Sequence, residues 1–276
     1  MSLSINNNAA ALIALQNLNA TEASLQTTQN DVSTGLAVND AQDNASVWSI
    51  AQGQRADISA LDAVTQSLNR ATSIADVAST AGQSVSDLLT QIKAKVVAAM
   101  DTSLNTASRE ALNNDFKSLL NQISSVVGNA SFDGANILNN SLTNGLQFLA
   151  NSDGTSTLTL SAENLTLGGS NITFAATSSI STATLAASLL TFVNASLTNV
   201  DSALGSLGSQ SNEIAAHTTF IGKLQDTLQT GVGNLVNANM ATESAKLQAL
   251  QVQQQLGVQA LSIANQAPNA ILSLFK

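Results

Sequence analysis

A seven-residue repeat of small apolar residues is the feature that most constrains how this chain can fold. Between residues 61 and 99, aliphatic residues, alanine or glycine recur in two series three positions apart, and neither series contains a charge. A second pair of series runs from residue 190 to 235. Repeats sustained over this many heptads indicate long helices packed as in a coiled coil. The residues predicted to form the rod core are Leu61, Leu68, Val85, Leu89, Ile92, Val96, Val193, Val200, Leu207, Ile214, Ile221 and Leu228.

The length of the second repeat indicates the shape of the molecule. About 46 residues, at roughly 1.5 Å each, would form a helix of about 70 Å. A compact globule of this chain length would have a radius of gyration of only about 19 Å. We therefore predict a mainly α fold, an elongated helical rod with long coiled-coil-like helices from both termini.

Shorter elements are predicted between the two repeats. A helix should begin near Thr106 and stop at Gly128, where a glycine suits the position after a helix end. From residue 146 to 174 apolar residues alternate with polar ones around the turn signals Asn151 to Gly154 and Gly168 to Gly169. This pattern predicts one or two β-hairpins in a small inserted region.

Both ends of the chain carry apolar residues at helical spacing with few charges. No charged residue occurs from Leu247 to Phe275. An isolated helix with such a stripe facing water is marginal, so the ends should pack on each other and on neighbouring copies; a purely intramolecular helix pair is the alternative. The candidate subunit-interface residues are Ile5, Leu12, Leu15, Leu18, Leu25, Val32, Val252, Leu256, Ile263, Ile271, Leu272, Leu274 and Phe275.

Composition argues against several classes of function. The net charge of −9 provides no basic field for nucleic acid. With no cysteine and one histidine, His217, read as structural, we predict no catalytic residues, no metal site, no cofactor and no enzyme activity. Arg55 is the first basic residue, so a cleaved secretory signal is not expected. Amides interrupt the apolar windows, so no membrane span is expected.

Three motifs resemble bacterial flagellin. They are INNNAAALIALQNLN at residues 5–19, STGLAVNDAQDNASVWSIA at 33–51 and ANQAPNAILSLF at 264–275. The resemblance covers roughly the first 140 and last 90 residues, and it is to a short, alphaproteobacterial-like form without outer variable domains. One departure is Asp31, which stands where the family usually has a basic residue.

The resemblance implies a domain plan and a function. The plan is an inner coiled-coil domain from residues 1–34 and 236–276, a spoke linker at 35–44, and a helical rod domain from 45–140 and 181–235 that includes the β-hairpin region 141–180. The implied function is a structural subunit that self-assembles into the extracellular helical filament used for swimming, as its terminal helices order on polymerisation. A hook-filament junction protein and a membrane-surface amphipathic helical protein are the alternatives.

The resemblance also implies partners. These are further copies of the chain in a homo-polymer, sister flagellins, the hook-filament junction and cap proteins, and a flagellar export chaperone with the type III export apparatus. Neither nucleic acid nor a membrane is expected as a partner.

Overall fold

A computed structural model of the protein describes the backbone of residues 8–272 and the side chains of residues 8–266. The described part is mainly helical with one small antiparallel sheet, which confirms the predicted fold class. Its elements in chain order are α1 (Ala9–Thr34), α2 (Ala41–Ala99), α3 (Thr106–Asn129), β1 (Leu146–Leu149), β2 (Thr157–Leu160), α4 (Ala183–Val236) and α5 (Met240–Leu272).

The chain forms two compact units. Unit 1 consists of Met1–Ala56 with Thr227–Lys276, and unit 2 consists of Asp57–Asp226. Both α2 and α4 contribute residues to each unit. The domain boundaries given by the sequence remain a prediction.

In unit 1, the segment after α1 crosses the link between α4 and α5. Gly35 ends α1 in the left-handed conformation, with φ of 73°, and its N–H donates to the Asp31 carbonyl at 2.9 Å. The Ala37 N–H then donates to the Val236 carbonyl at 2.7 Å, and the Ala238 N–H donates back to the Gly35 carbonyl at 2.9 Å. These reciprocal bonds fix the end of α1 beside the start of α5.

In unit 2, α2 and α4 run antiparallel. As the contacting residue on α2 advances from Asp62 to Ser86, its partner on α4 falls from Gln225 to Asp201. Between these two polar contacts, Gly82 faces Leu204 so closely that a Cβ on the glycine would lie 2.6 Å from a leucine methyl carbon. Small residues in the α2 heptads thus let the helices approach closely.

The third helix continues past its predicted end. Gly128 lies inside α3, which ends at Asn129 with Ala130 as its cap, so the prediction that Gly128 follows the helix was wrong. The physical reason is the buried Asn136, whose Nδ2 donates to the Val127 carbonyl at 2.8 Å and more weakly to the Gly128 carbonyl at 3.4 Å. Carbonyls satisfied in this way need no left-handed glycine cap.

The inserted region contains one hairpin within the described residues. β1 and β2 pair antiparallel with Leu146 opposite Leu160. The hairpin is held to the helices by Leu149 N–H to Ser67 Oγ at 3.2 Å and by Ser161 N–H to Gln210 Oε1 at 2.6 Å. Further along, Leu167 and Ile172 form an isolated parallel bridge and not a second hairpin.

Candidate interface on the terminal helices

Helices α1 and α5 pack against each other in antiparallel orientation. Near the start of α1, Asn8 Nδ2 donates to the Ala264 carbonyl at 2.8 Å, and Asn8 Oδ1 accepts from the Ala11 N–H at 3.1 Å. Farther along, Leu18 lies against Gly257, where an added Cβ would be 3.2 Å from a leucine methyl carbon. The Asn8 side chain therefore both caps α1 and bonds it to a residue near the end of α5.

The side of α1 that faces α5 is only partly apolar. Its buried residues, spaced by three or four positions, are Leu18, Thr21, Leu25, Thr28 and Asp31. Thr21 Oγ1 donates to the Asn17 carbonyl at 2.9 Å, whereas Thr28 Oγ1 is buried with no hydrogen-bond partner in the described part of the chain. A buried unsatisfied polar atom costs about 1–3 kcal/mol. The intramolecular contact between α1 and α5 is consequently weak.

The side of α5 that faces away from α1 also carries large apolar residues. Leu250 and Gln254 are half-buried, and Gln254 Nε2 lies 3.5 Å from Glu22 Oε1 of α1. Val252 is two residues from each of them, and two residues turn a helix by about 200°. Val252, Leu256 and Ile263 recur at helical spacing on this outward side and are all exposed.

Seven large aliphatic side chains of the two helices are exposed among the described residues, by fractions from 43% for Leu15 to 70% for Ile263. Large exposed apolar patches on proteins mark interaction sites, and these residues lie on two helices that pack against each other. We call these residues the exposed apolar set: Leu12, Ile13, Leu15, Val252, Leu256, Val258 and Ile263.

A shallow groove runs between α1 and α5 beside this set. It has a volume of about 430 Å³ and is lined from the two helices by Ile13 and Leu256, among others. Ala14, Gly257 and Ala260 also line it, and their small side chains leave the space open. Its size and lining suit an apolar side chain from another molecule.

At the other end of the pair, Asp31 lies in a mainly acidic environment. Burial raises the pKa of Asp31, and the nearby carboxylates of Glu243 and Asp43 act in the same direction, whereas Lys246 lowers it. Lys246 Nζ also lies 3.4 Å from a carboxylate oxygen of Glu243. Because the pKa of Asp31 is raised, this end of the pair is less stable when Asp31 is ionised.

The candidate interface residues occupy three different environments. Leu18 and Leu25 are already buried within the chain's own helix pair, and Val32 is half-buried. Ile13 and Val258 are exposed but were not predicted; that each is a large aliphatic residue on a terminal helix was the available signal. The predicted residues that are exposed are Leu12, Leu15, Val252, Leu256 and Ile263, and those outside the described side chains are Ile5, Ile271, Leu272, Leu274 and Phe275.

The predicted rod-core residues lie on α2 and α4. Leu228 is half-buried. The buried members are Leu61, Leu68, Val85, Leu89, Ile92, Val96, Val193, Val200, Leu207, Ile214 and Ile221.

The polar groups that could carry chemistry have structural partners. His217 Nε2 lies 2.7 Å from the Ala150 carbonyl oxygen, and since a carbonyl only accepts, this nitrogen carries a proton. Asp40 and Asp43 accept backbone N–H groups at the start of α2, at distances of 2.6 to 3.2 Å. Among the described residues, no group of three or more histidine, aspartate or glutamate side chains is placed to hold a metal ion.

One described helix, α4, is long and apolar enough to cross a membrane by length and composition alone, with a mean hydropathy of 1.3 over 18 residues. The expectation that amides interrupt every such window was therefore wrong for α4. The core helix of a protein passes the same test; α4 buries Val193, Val200 and Leu207, although 28% of the 18-residue window is buried.

Two family descriptions match this chain. The bacterial flagellin N-terminal helical region matches residues 5–143, and the bacterial flagellin C-terminal helical region matches residues 190–275. The first ends just before β1, and the second begins within α4. The unmatched stretch therefore contains the hairpin region.

Relatives match along nearly the whole chain. Flagellin FljM of Caulobacter vibrioides is 51% identical over 273 residues, covering 99% of this chain and 98% of the relative. Flagellin FljK of the same organism is 50% identical with the same coverage. A flagellin of Brucella melitensis is 38% identical and covers 99% of each chain.

A solved structure supports the fold. The crystal structure of Bacillus cereus flagellin superposes with a TM-score of 0.50 at 18% identity, covering 56% of this chain and 88% of that one.

Proposed function

This chain belongs to the bacterial flagellin family and is a structural subunit of the flagellar filament, and we propose that α1 and α5 supply the contacts that hold its copies together. The observation that supports the proposal most directly is the orientation of α5. Its outward side carries Val252, Leu256 and Ile263, which are exposed, whereas its side toward α1 carries Leu247, Leu250 and Leu261. A helix that packed only against α1 would need one apolar side, and α5 has a second one that is left uncovered.

The energetics favour many neighbours over a single partner. Full burial of one such side chain contributes about 1.5–3 kcal/mol, so the seven partly exposed residues would add roughly 1 kcal/mol each, about 7 kcal/mol in total. Association costs about 4–15 kcal/mol in lost freedom of motion. One contact barely offsets that loss, so a subunit is held firmly only where several copies surround it, as in a helical array.

Low charge allows these helices to crowd together. The stretch from Leu247 to Phe275 carries no charge, and the whole chain has only 10% charged residues. Like-charge repulsion between identical helices at a shared surface is therefore small. Amide side chains keep the unassembled surface hydrated without that repulsion.

We extend the proposal to ordering and partners. The weak seam of the α1–α5 pair supports a terminal region that becomes fully ordered when neighbours cover it. Five flagellins of Caulobacter vibrioides are 49–51% identical to this chain, which supports sister flagellins as copolymer partners. An extracellular location, hook-filament junction and cap proteins at the filament ends, and an export chaperone with the type III apparatus complete the proposal.

Seeded polymerisation of purified chain tests it. Short filament fragments are added to the unassembled protein, and growth is followed by negative-stain microscopy. We expect the unaltered chain to extend the seeds, and a variant with serine at Val252, Leu256 and Ile263 to remain unassembled. The matched control carries serine at Gln248, Gln251 and Gln255, which are exposed on the same helix, and should extend the seeds normally.

Other outcomes point to other functions. If the triple variant extended the seeds at the rate of the control, the outward side of α5 would not belong to the interface. Addition of a single tier followed by arrest would favour a junction protein. Flotation of the chain with liposomes, lost in the triple variant, would favour a membrane-surface role.

A further inference from the structure

The turn before β1 contains the only Asn-Gly dipeptide of the sequence, Asn144 followed by Gly145. The Asn144 side chain is exposed, and no residue in the described part of the chain bonds to it. The Gly145 N–H donates only weakly, to the Leu142 carbonyl at 3.4 Å. An unrestrained side-chain amide therefore adjoins a backbone nitrogen that is held loosely.

A glycine is required at position 145. Its φ of 70° lies in the left-handed region, which disfavours residues with a Cβ. A Cβ there would also collide with the Leu160 carbonyl oxygen of the partner strand. The fold thus fixes, after Asn144, the residue that offers least steric protection to the peptide nitrogen.

We propose that Asn144 is a site of spontaneous deamidation in the folded protein. The Gly145 nitrogen gives up its proton to solvent and bonds to Cγ of Asn144. The bond from Cγ to Nδ2 breaks, and Nδ2 takes up a proton from solvent and leaves as ammonia. The resulting cyclic imide then takes up one water molecule. Opening at one carbonyl gives aspartate and opening at the other gives isoaspartate, so the net change is loss of ammonia and gain of water.

Two other asparagines of this region are restrained. Asn151, in the loop between β1 and β2, donates through Nδ2 to Thr155 Oγ1 at 2.8 Å and accepts the Ser156 N–H on Oδ1 at 3.1 Å. Asn136 is buried and bonded through both amide atoms. Each would have to break hydrogen bonds before its Cγ could be attacked. Asn140 is exposed as well, but Ser141 follows it, and a Cβ shields the peptide nitrogen that a glycine leaves open. The hydrogen bonds and the following residue together favour reaction at Asn144.

The product changes both charge and backbone. Either form adds one negative charge at the start of the hairpin, and isoaspartate inserts the former Cβ into the main chain. Because Gly145 abuts the Leu160 backbone, the added length has no room there and should disturb the pairing of Leu146 with Leu160. The reaction needs only water, so it goes beyond the proposed function and does not depend on it.

Peptide mapping of the full-length protein tests this inference. Native and denatured samples are incubated at mildly alkaline pH, digested and analysed by mass spectrometry with electron-transfer fragmentation, which separates isoaspartate from aspartate. We expect conversion at Asn144 in the native sample to exceed that at every other asparagine and to approach its value in the denatured sample. Asn151 should convert appreciably only after denaturation.

Two variants make the test specific. Asn144→Gln should remove most of the native deamidation, because the longer side chain forms its ring far more slowly. Asn151→Gln should leave the native deamidation unchanged. Equal native conversion at Asn144 and Asn151, or conversion of Asn144 only after denaturation, would overturn the proposal.

Discussion

Replacement of Leu256 by alanine measures how much the exposed apolar set contributes to assembly. Its side chain is 59% exposed in the single chain. Complete burial of a leucine is worth about 1.5–3 kcal/mol, and alanine keeps the Cβ, so the contribution lost at the subunit contact is about 1 kcal/mol. Since 1.4 kcal/mol corresponds to a tenfold change, the concentration of chain left unassembled at equilibrium should rise about fivefold.

The assay is sedimentation of seeded filaments at equilibrium, with the unassembled chain measured in the supernatant. Gln251→Ala is the matched control, because Gln251 is exposed on the same helix and carries little apolar surface. Alanine favours helix at both positions, so α5 itself is not weakened. An unchanged supernatant concentration for Leu256→Ala, or an equal rise for the control, would refute the assignment of this surface.

Three further predictions concern stability. The raised pKa of Asp31 implies a stabilising contribution to unit 1 that is fully present below the ordinary pKa of 3.8 and is lost as pH rises through the raised pKa. Asp31→Asn should therefore raise the melting temperature at neutral pH and make the melting temperature less dependent on pH. An unchanged dependence of the melting temperature on pH would count against this. Ile92→Ala, at a fully buried position, should lower the free energy of unfolding in urea by about 2–5 kcal/mol, whereas Val97→Ala, at an exposed position, should change it by less than about 1 kcal/mol; similar losses would contradict the burial. Asn136→Ala should cost about 1–3 kcal/mol by leaving the Val127 carbonyl unpaired, and unchanged hydrogen exchange at the end of α3 would argue otherwise.

The long helices were predictable because a heptad pattern averages over many residues. In the α2 and α4 series, a single polar position does not obscure the period, and the predicted helices appear in the structure. The end of α3 was less predictable, since it depends on one bond from Asn136, eight or nine residues further along the chain. A glycine in the sequence does not indicate whether a hydrogen-bonding side chain eight or nine residues away will cap the helix.

The outward side of α5 was not predictable for a different reason. Both sides of this helix carry large aliphatic residues: Leu247, Leu250 and Leu261 are half-buried, whereas Val252 and Leu256 are exposed. Hydrophobicity alone therefore offers two orientations. Contacts from α1, including the Asn8 bond to Ala264 and the fit of Leu18 against Gly257, select one of them.

The weakness of the α1–α5 pair is itself consistent with a subunit that must assemble. Thr28 is buried without a hydrogen-bond partner and Asp31 is buried near two other carboxylates, so the seam contributes little stability of its own. A chain that buried Leu256 and Ile263 internally would be more stable alone and would offer less to its neighbours. The outward placement of these residues lets assembly supply the missing burial. A subunit that makes only some of its contacts can dissociate again. Assembly that depends on several simultaneous contacts should start slowly and extend readily from existing ends.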